Sequence, residues 1–117
     1  MDIDRDLLLK TFLEESRENL AVMEETLLAL ETRPQDAELV TLLFRQAHTF
    51  KGNAALVGLQ SLADFAHTVE DVLDRLRQGT LAVQGDLISL LLQATDGLRQ
   101  GVPEAIAGHD PLTPERR

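Results

Sequence analysis

Two short stretches hold most of the residues able to do chemistry. The first is Ala47, His48, Thr49, Phe50, Lys51, Gly52, Asn53 and Ala54. His48 lies beside an apolar helical stripe without being its centre, because Phe44, Ala47 and Phe50 already take that face. Lys51 and Gly52 follow at the third and fourth positions, so both neighbour His48 on a helix surface. A glycine inside a helix costs about 1 kcal/mol relative to alanine, so Gly52 needs a reason. A missing side chain beside His48 lets another protein's backbone come close. The competing reading, that Gly52 ends the helix, sits poorly with Ala54, Leu56 and Val57, which continue the pattern. The second stretch is Ala66, His67, Thr68, Val69, Glu70 and Asp71, with His67 and Glu70 one turn apart. If the two carrying helices are antiparallel neighbours, Glu70 can reach His48. A carboxylate that accepts the Nδ1–H of an imidazole fixes its tautomer and leaves a lone pair on Nε2. Such a ring can attack phosphorus, and Lys51 would place positive charge near the phosphoryl oxygens.

Four amphipathic helices are needed to hold these groups. The first is expected over about Asp4 to Glu31, where Leu13, Ser16, Leu20, Met23, Leu27 and Leu30 share one stripe, broadened by Leu9 and Phe12. Pro34 breaks it. Asp36 caps a second helix, which buries Val40, Leu43, Phe44, Ala47, Phe50, Ala54 and Val57 and stops at Gly58. Ser61 with Asp64 resembles a capping box for a third, Leu62 to Gln78, burying Leu62, Phe65, Ala66, Val69, Leu73 and Leu76 and ending at Gly79. Asp86 caps a fourth through Leu87, Leu90, Leu91, Ala94 and Leu98. Either Gly101 stops it, or the chain kinks near Pro103 and runs on to Ala107 as an extension or short fifth helix. Residues 1–107 are read as one all-α domain, an antiparallel up-down-up-down bundle, and 108–117 as a disordered linker or tail. His109, in that tail, has no partner in the sequence and is assigned nothing.

Composition agrees with this architecture. The chain has 117 residues, enough for one core, with 44% hydrophobic but only 3% aromatic side chains, so Leu, Ala and Val must fill it. There is no Cys, which excludes disulfides, thiolate metal sites and cysteine nucleophiles. A net charge of −9 argues against nucleic acid and against an anionic membrane surface. The apolar run Leu87 to Leu92 is far too short to span a bilayer. An acidic start without a signal-peptide pattern suits a cytoplasmic protein.

At the level of motif, His48, Lys51 and Gly52 resemble the H-x-x-K-G signature of histidine phosphotransfer domains. The similarity is nearest to the N-terminal phosphoacceptor domain of the CheA chemotaxis histidine kinases. It runs from Phe12 to Leu20, through Phe44 to His48, to Ala66, His67, Glu70, Asp71, Leu73, Leu76, Arg77 and Gly79, and covers roughly residues 7 to 100. The resemblance implies that His48 is the phosphorylated residue and that Glu70 is hydrogen-bonded to it. Lys51 and His67 are implied as neighbours that tune the histidine and the phosphoryl group. Asn53 stands where the family often has Ser, a change expected to leave acceptance intact and to bear on partner fit.

None of the seven glycines forms a phosphate-cradling loop, so the domain is not expected to take phosphate from ATP unaided. By resemblance, a kinase domain brings ATP and Mg²⁺, a response-regulator receiver domain later takes the group onto its own Asp, and this domain carries no cofactor or metal and is monomeric. The start at Met1 and the linker-like end favour a fragment of a larger kinase over a free-standing relay protein. Two rivals come from another class. One is a metal site using His48, His67, Glu70, Asp71 and Asp74; its His-x-x-Glu order is the reverse of the Glu-x-x-His used in di-iron bundles. The other is a docking bundle in which His48 is silent.

Overall fold

The computed structural model describes residues 2–108, all-α with four helices: α1 Asp2–Thr32, α2 Ala37–Leu56, α3 Gln60–Gln78 and α4 Gly85–Gly108. Each helix packs on the next in the chain, and α4 closes back onto α1, giving an antiparallel four-helix bundle. The 31 residues of α1, at about 1.5 Å each, account for most of the 49 Å long axis.

The sequence explains the helix ends. Asp36 accepts from the backbone N–H of Glu38 (3.0 Å) and Leu39 (3.4 Å), as expected for the α2 cap. Gly58, with φ of 83°, turns the chain out of α2, and the Leu59 N–H returns to the Ala54 carbonyl (2.9 Å). That turn also starts α3, which begins at Gln60 rather than Leu62. The expected Ser61 cap is absent: Leu59 is the capping residue and makes no side-chain cap bond, while Asp64 accepts from Gln60 Nε2 at 2.8 Å. Gly79 ends α3 as anticipated, with φ of 82°. Helix α4 starts at Gly85, which puts Asp86 in the first turn instead of at the cap.

The core joins Leu9, Phe12, Leu20, Met23, Leu27 and Leu30 of α1 to Leu43, Ala47, Phe50 and Ala54 of α2 and to Ala66, Val69 and Leu73 of α3. Phe12 and Phe50 meet with ring centroids 5.7 Å apart. Three buried hydroxyls are satisfied by their own helices: Ser16 donates to Leu13 O (3.0 Å), Thr26 to Val22 O (2.6 Å) and Thr95 to Leu91 O (2.8 Å). The expected faces need two corrections. Phe65 is exposed, and Phe44 is only half-buried, packing against the core from the margin of the stripe. On α4 the buried stripe is Ile88, Leu91, Thr95, Leu98 and Val102; Leu90 is exposed and Leu87 and Ala94 are half-buried.

The end of α4 also differs from one expectation. Gly101 does not stop it, and among the described residues no separate fifth helix forms; Pro103 is accommodated inside a helix that reaches Gly108. A proline there removes the N–H that would bond the Arg99 carbonyl and crowds that carbonyl with its ring. At Gly101 a Cβ would lie 3.1 Å from Leu62 Cδ2, so the glycine lets α3 and α4 approach closely. The segment 109–117, with His109, lies outside the described residues. Among those described, no helix is long and apolar enough to cross a membrane.

Candidate functional site

Glu70 is the pivot of the site. It lies at the margin of the α3 stripe that includes Ala66, Val69 and Leu73, and only 7% of it is exposed. An isolated carboxylate at that depth would be costly. Both of its oxygens therefore reach across to α2: Oε2 lies 2.5 Å from His48 Nδ1, and Oε1 lies 2.7 Å from Lys51 Nζ. The antiparallel register of α2 and α3 makes this possible, because His48 and Lys51 are one turn apart and present adjacent heads to one acid.

The electrostatics fix the protonation pattern. Burial pushes the Glu70 carboxyl up, but the hydrogen bonds and positive charges of Lys51 and His48 outweigh it and leave its pKa below the ordinary value. An ionised carboxylate has no proton to give, so the hydrogen in the contact belongs to Nδ1, which donates to Oε2. In the neutral ring Nε2 then carries the lone pair. The His48 side chain is 62% exposed, against 9% for Glu70. The ring is thus held on one edge by a buried anion and open to an incoming molecule.

Gly52 lies on the same helix, inside α2, and a Cβ built on it would meet nothing within 4 Å. The surface beside His48 is therefore flat and open, and the glycine does not terminate the helix. Asn53 turns toward α1, where its Nδ2 donates to Glu15 Oε1 at 3.4 Å.

Of the residues singled out in the sequence, His48, Lys51 and Glu70 are brought together and Gly52 adjoins them. His67 pairs within its own helix, Nε2 to Asp71 Oδ1 at 3.7 Å, with both side chains largely exposed. Among the described residues, no three His, Asp or Glu side chains converge as a metal cluster would require.

Two further residues border the site: Phe44, expected in the core, and Arg77, which the family resemblance includes without a role. Phe44, one turn before His48, lies nearly parallel to the imidazole, with centroids 6.2 Å apart and planes 14° apart. The Arg77 guanidinium carbon lies 4.3 Å from the centre of the Phe44 ring, and Arg77 Nη2 is 2.6 Å from Asp74 Oδ1. The four-residue spacing of Phe44 and His48 is the sequence signal for this contact.

An exposed histidine on the wall of a four-helix bundle, edge-bonded to a buried acid on the next helix, is the arrangement of a phosphotransfer domain. The Hpt domain family matches residues 7–101, and the chain belongs to that family. Among its relatives, the chemotaxis protein CheA of Bacillus subtilis is 41% identical over 108 residues, which are 92% of this chain and 16% of the relative. The chemotaxis protein CheA of Borreliella burgdorferi is 35% identical over 108 residues, again 92% of this chain and 12% of the relative. The chain thus spans between 12% and 16% of the length of these two proteins. Among solved structures, the phosphorylated P1 domain of CheA3 in complex with CheY6 from R. sphaeroides superposes with a TM-score of 0.82 at 32% identity. That match covers 95% of this chain and 88% of the other.

Proposed function

We propose that this domain is the phosphoacceptor module of a CheA-type histidine kinase, carrying a phosphoryl group on His48 between ATP and a response regulator in the cytoplasm. The observation that carries this reading is the 2.5 Å contact between His48 Nδ1 and a buried, ionised Glu70, made while the ring stays open to solvent.

In the first transfer, the Nε2 lone pair forms a bond to the γ-phosphorus of ATP held with Mg²⁺ by a kinase domain. The bond from that phosphorus to the bridging oxygen breaks, and ADP leaves. The ring keeps its Nδ1–H, and the positive charge it acquires faces Glu70. In the second transfer, a carboxylate oxygen of a receiver domain's aspartate attacks the same phosphorus. The Nε2–P bond breaks and returns the electron pair to the imidazole. Lys51 lies one turn from His48 and neutralises charge near the phosphoryl group, and Gly52 leaves room for the partner's backbone. His67, which faces Asp71, acts on the site at most through the local field. A relative solved as a phosphorylated P1 domain with CheY6 supports a receiver domain as the recipient.

The test is incubation of the wild type and His48→Gln with ATP, Mg²⁺ and the remainder of a related CheA kinase. Acid-labile, base-stable phosphate should appear on the wild type alone and should leave when a receiver domain is added. Equal labelling of both proteins overturns the assignment.

A further inference from the structure

We propose that Phe44 is a positioning residue for the phosphoryl transfer, a flat stop that sets the plane of the His48 ring, and that Arg77 and Asp74 keep it in place. This deepens the phosphoacceptor reading and rests on it.

The imidazole hangs from the backbone by two rotatable bonds, and one hydrogen bond at Nδ1 still permits a coupled rotation about them. With Nδ1 tethered to Glu70, a tilt of the imidazole carries Nε2, on the far edge, away from the line of attack. The ring is 62% exposed, so close packing does not suppress that motion. Phe44 limits it as an offset neighbour: the two planes are within 14° of parallel and the centroids 6.2 Å apart. Edge tether and offset-parallel neighbour together narrow the directions open to the lone pair.

Phe44 must itself be held for this to work. It is only half-buried, and the side opposite the core is where an exposed aromatic would move. Arg77 supplies the hold, with its guanidinium carbon 4.3 Å from the ring centre and its Nη2 2.6 Å from Asp74 Oδ1. Helix α3 therefore addresses His48 twice: through Glu70 on the edge of its ring and, two turns on, through Arg77 on the residue against its face. The short Asp74–Arg77 pair and the cation–ring contact point one way, although both lie on an exposed part of α3 where such groups are usually left to water.

Phosphoramidate isolates the effect, because this small donor needs no docked kinase. Nε2 forms its bond to phosphorus, the phosphorus–nitrogen bond of the donor breaks, ammonia leaves, and Nδ1–H stays with Glu70. The expected result is that Phe44→Leu, which keeps apolar bulk but loses the flat face, lowers the rate about tenfold with helicity retained. Phe44→Tyr should stay within about twofold of the wild type, since it restores the face. In parallel, the resonances of the carbon-bound ring protons of His48 should shift in Phe44→Leu, but not in Phe44→Tyr, as the neighbouring aromatic ring is lost. Phe44→Leu that is folded and reacts at the wild-type rate overturns the inference. If Phe44→Leu loses helicity, Arg77→Met decides: a rate about threefold lower with a shift of the same His48 protons supports it, and an unchanged rate and spectrum overturn it. Phosphate found on His48→Gln would overturn the phosphoacceptor reading itself, a separate outcome from any result on Phe44.

Discussion

Two three-membered charge clusters tie the helices together, one on the α2–α3 flank and one on the α1–α4 flank. In the first, the acid Glu70 sits between two bases, Lys51 at 2.7 Å and His48 at 2.5 Å. In the second, the base Arg99 sits between two acids, Glu24 at 2.9 Å and Asp96 at 2.9 Å. The geometry is alike and the sign reversed; the setting is not. The Glu70 side chain is 9% exposed and the Arg99 side chain 40%. An exposed fork has water to fall back on when a partner leaves, so it contributes little and orients little. A buried acid has no such alternative, and its demand for partners holds two side chains of the neighbouring helix in place. The imidazole proposed as the phosphoacceptor is on the flank where that demand exists.

The sharpest way to break the contrast is Glu70→Ala. The rate of His48 phosphorylation should fall roughly 10- to 100-fold as the ring loses its edge contact, with helicity unchanged. A time course beside circular dichroism reads both, and an undiminished rate would remove the distinction between the flanks.

Lys51→Met comes next. It leaves Glu70 Oε1 without its partner, so stability near neutral pH should drop by about 1–3 kcal/mol in urea unfolding. The sign of the pH dependence follows from Glu70, whose folded pKa lies below its ordinary 4.5. Its stabilising contribution is complete above that value and disappears as pH falls through the lowered folded pKa. Lys51→Met removes the first of the groups that hold the pKa down, so in the variant the loss should begin at higher pH. The gap between wild type and variant should also shrink on acidification. A gap that stays constant with pH would show that Glu70 is not its source.

The smallest effect belongs to Arg99→Ala. Stability should change by less than about 1 kcal/mol, and the phosphorylation rate should not change. A loss as large as that of Lys51→Met would erase the comparison.

Much of this was legible in the residues because two periodicities agreed. The α1 and α2 stripes were readable from Leu, Met and Phe at helical spacing, with Asp36 and Gly58 marking ends. The pairing of His48 with Glu70 was readable only on the condition that α2 and α3 are antiparallel neighbours, and was otherwise implied by the family resemblance. Helix α4 was harder to read, since Leu87, Ile88, Leu90, Leu91 and Leu92 offer an apolar residue on nearly every side. Its true inner face includes Thr95, whose polarity is hidden by the bond to Leu91 O. The α3 start was misread because a backbone turn at Gly58, not a side-chain cap, sets it. Phe44 packs against the core from its margin, and hydrophobicity alone does not reveal that the same ring also lies parallel to a neighbouring imidazole.

His48 lies well inside α2 and Glu70 well inside α3, away from the turns at Gly58 and Gly79. Chemistry in many proteins sits on loops, so that changes in loop length and changes in activity are entangled. In this domain they are separable. The connector between Gly79 and Gly85 can lengthen or drift in composition without disturbing the His48–Glu70 contact, and in the proposed relay a partner comes side-on to the flank. Insertions placed between Gly79 and Gly85 should accordingly be among the most silent changes the chain can accept.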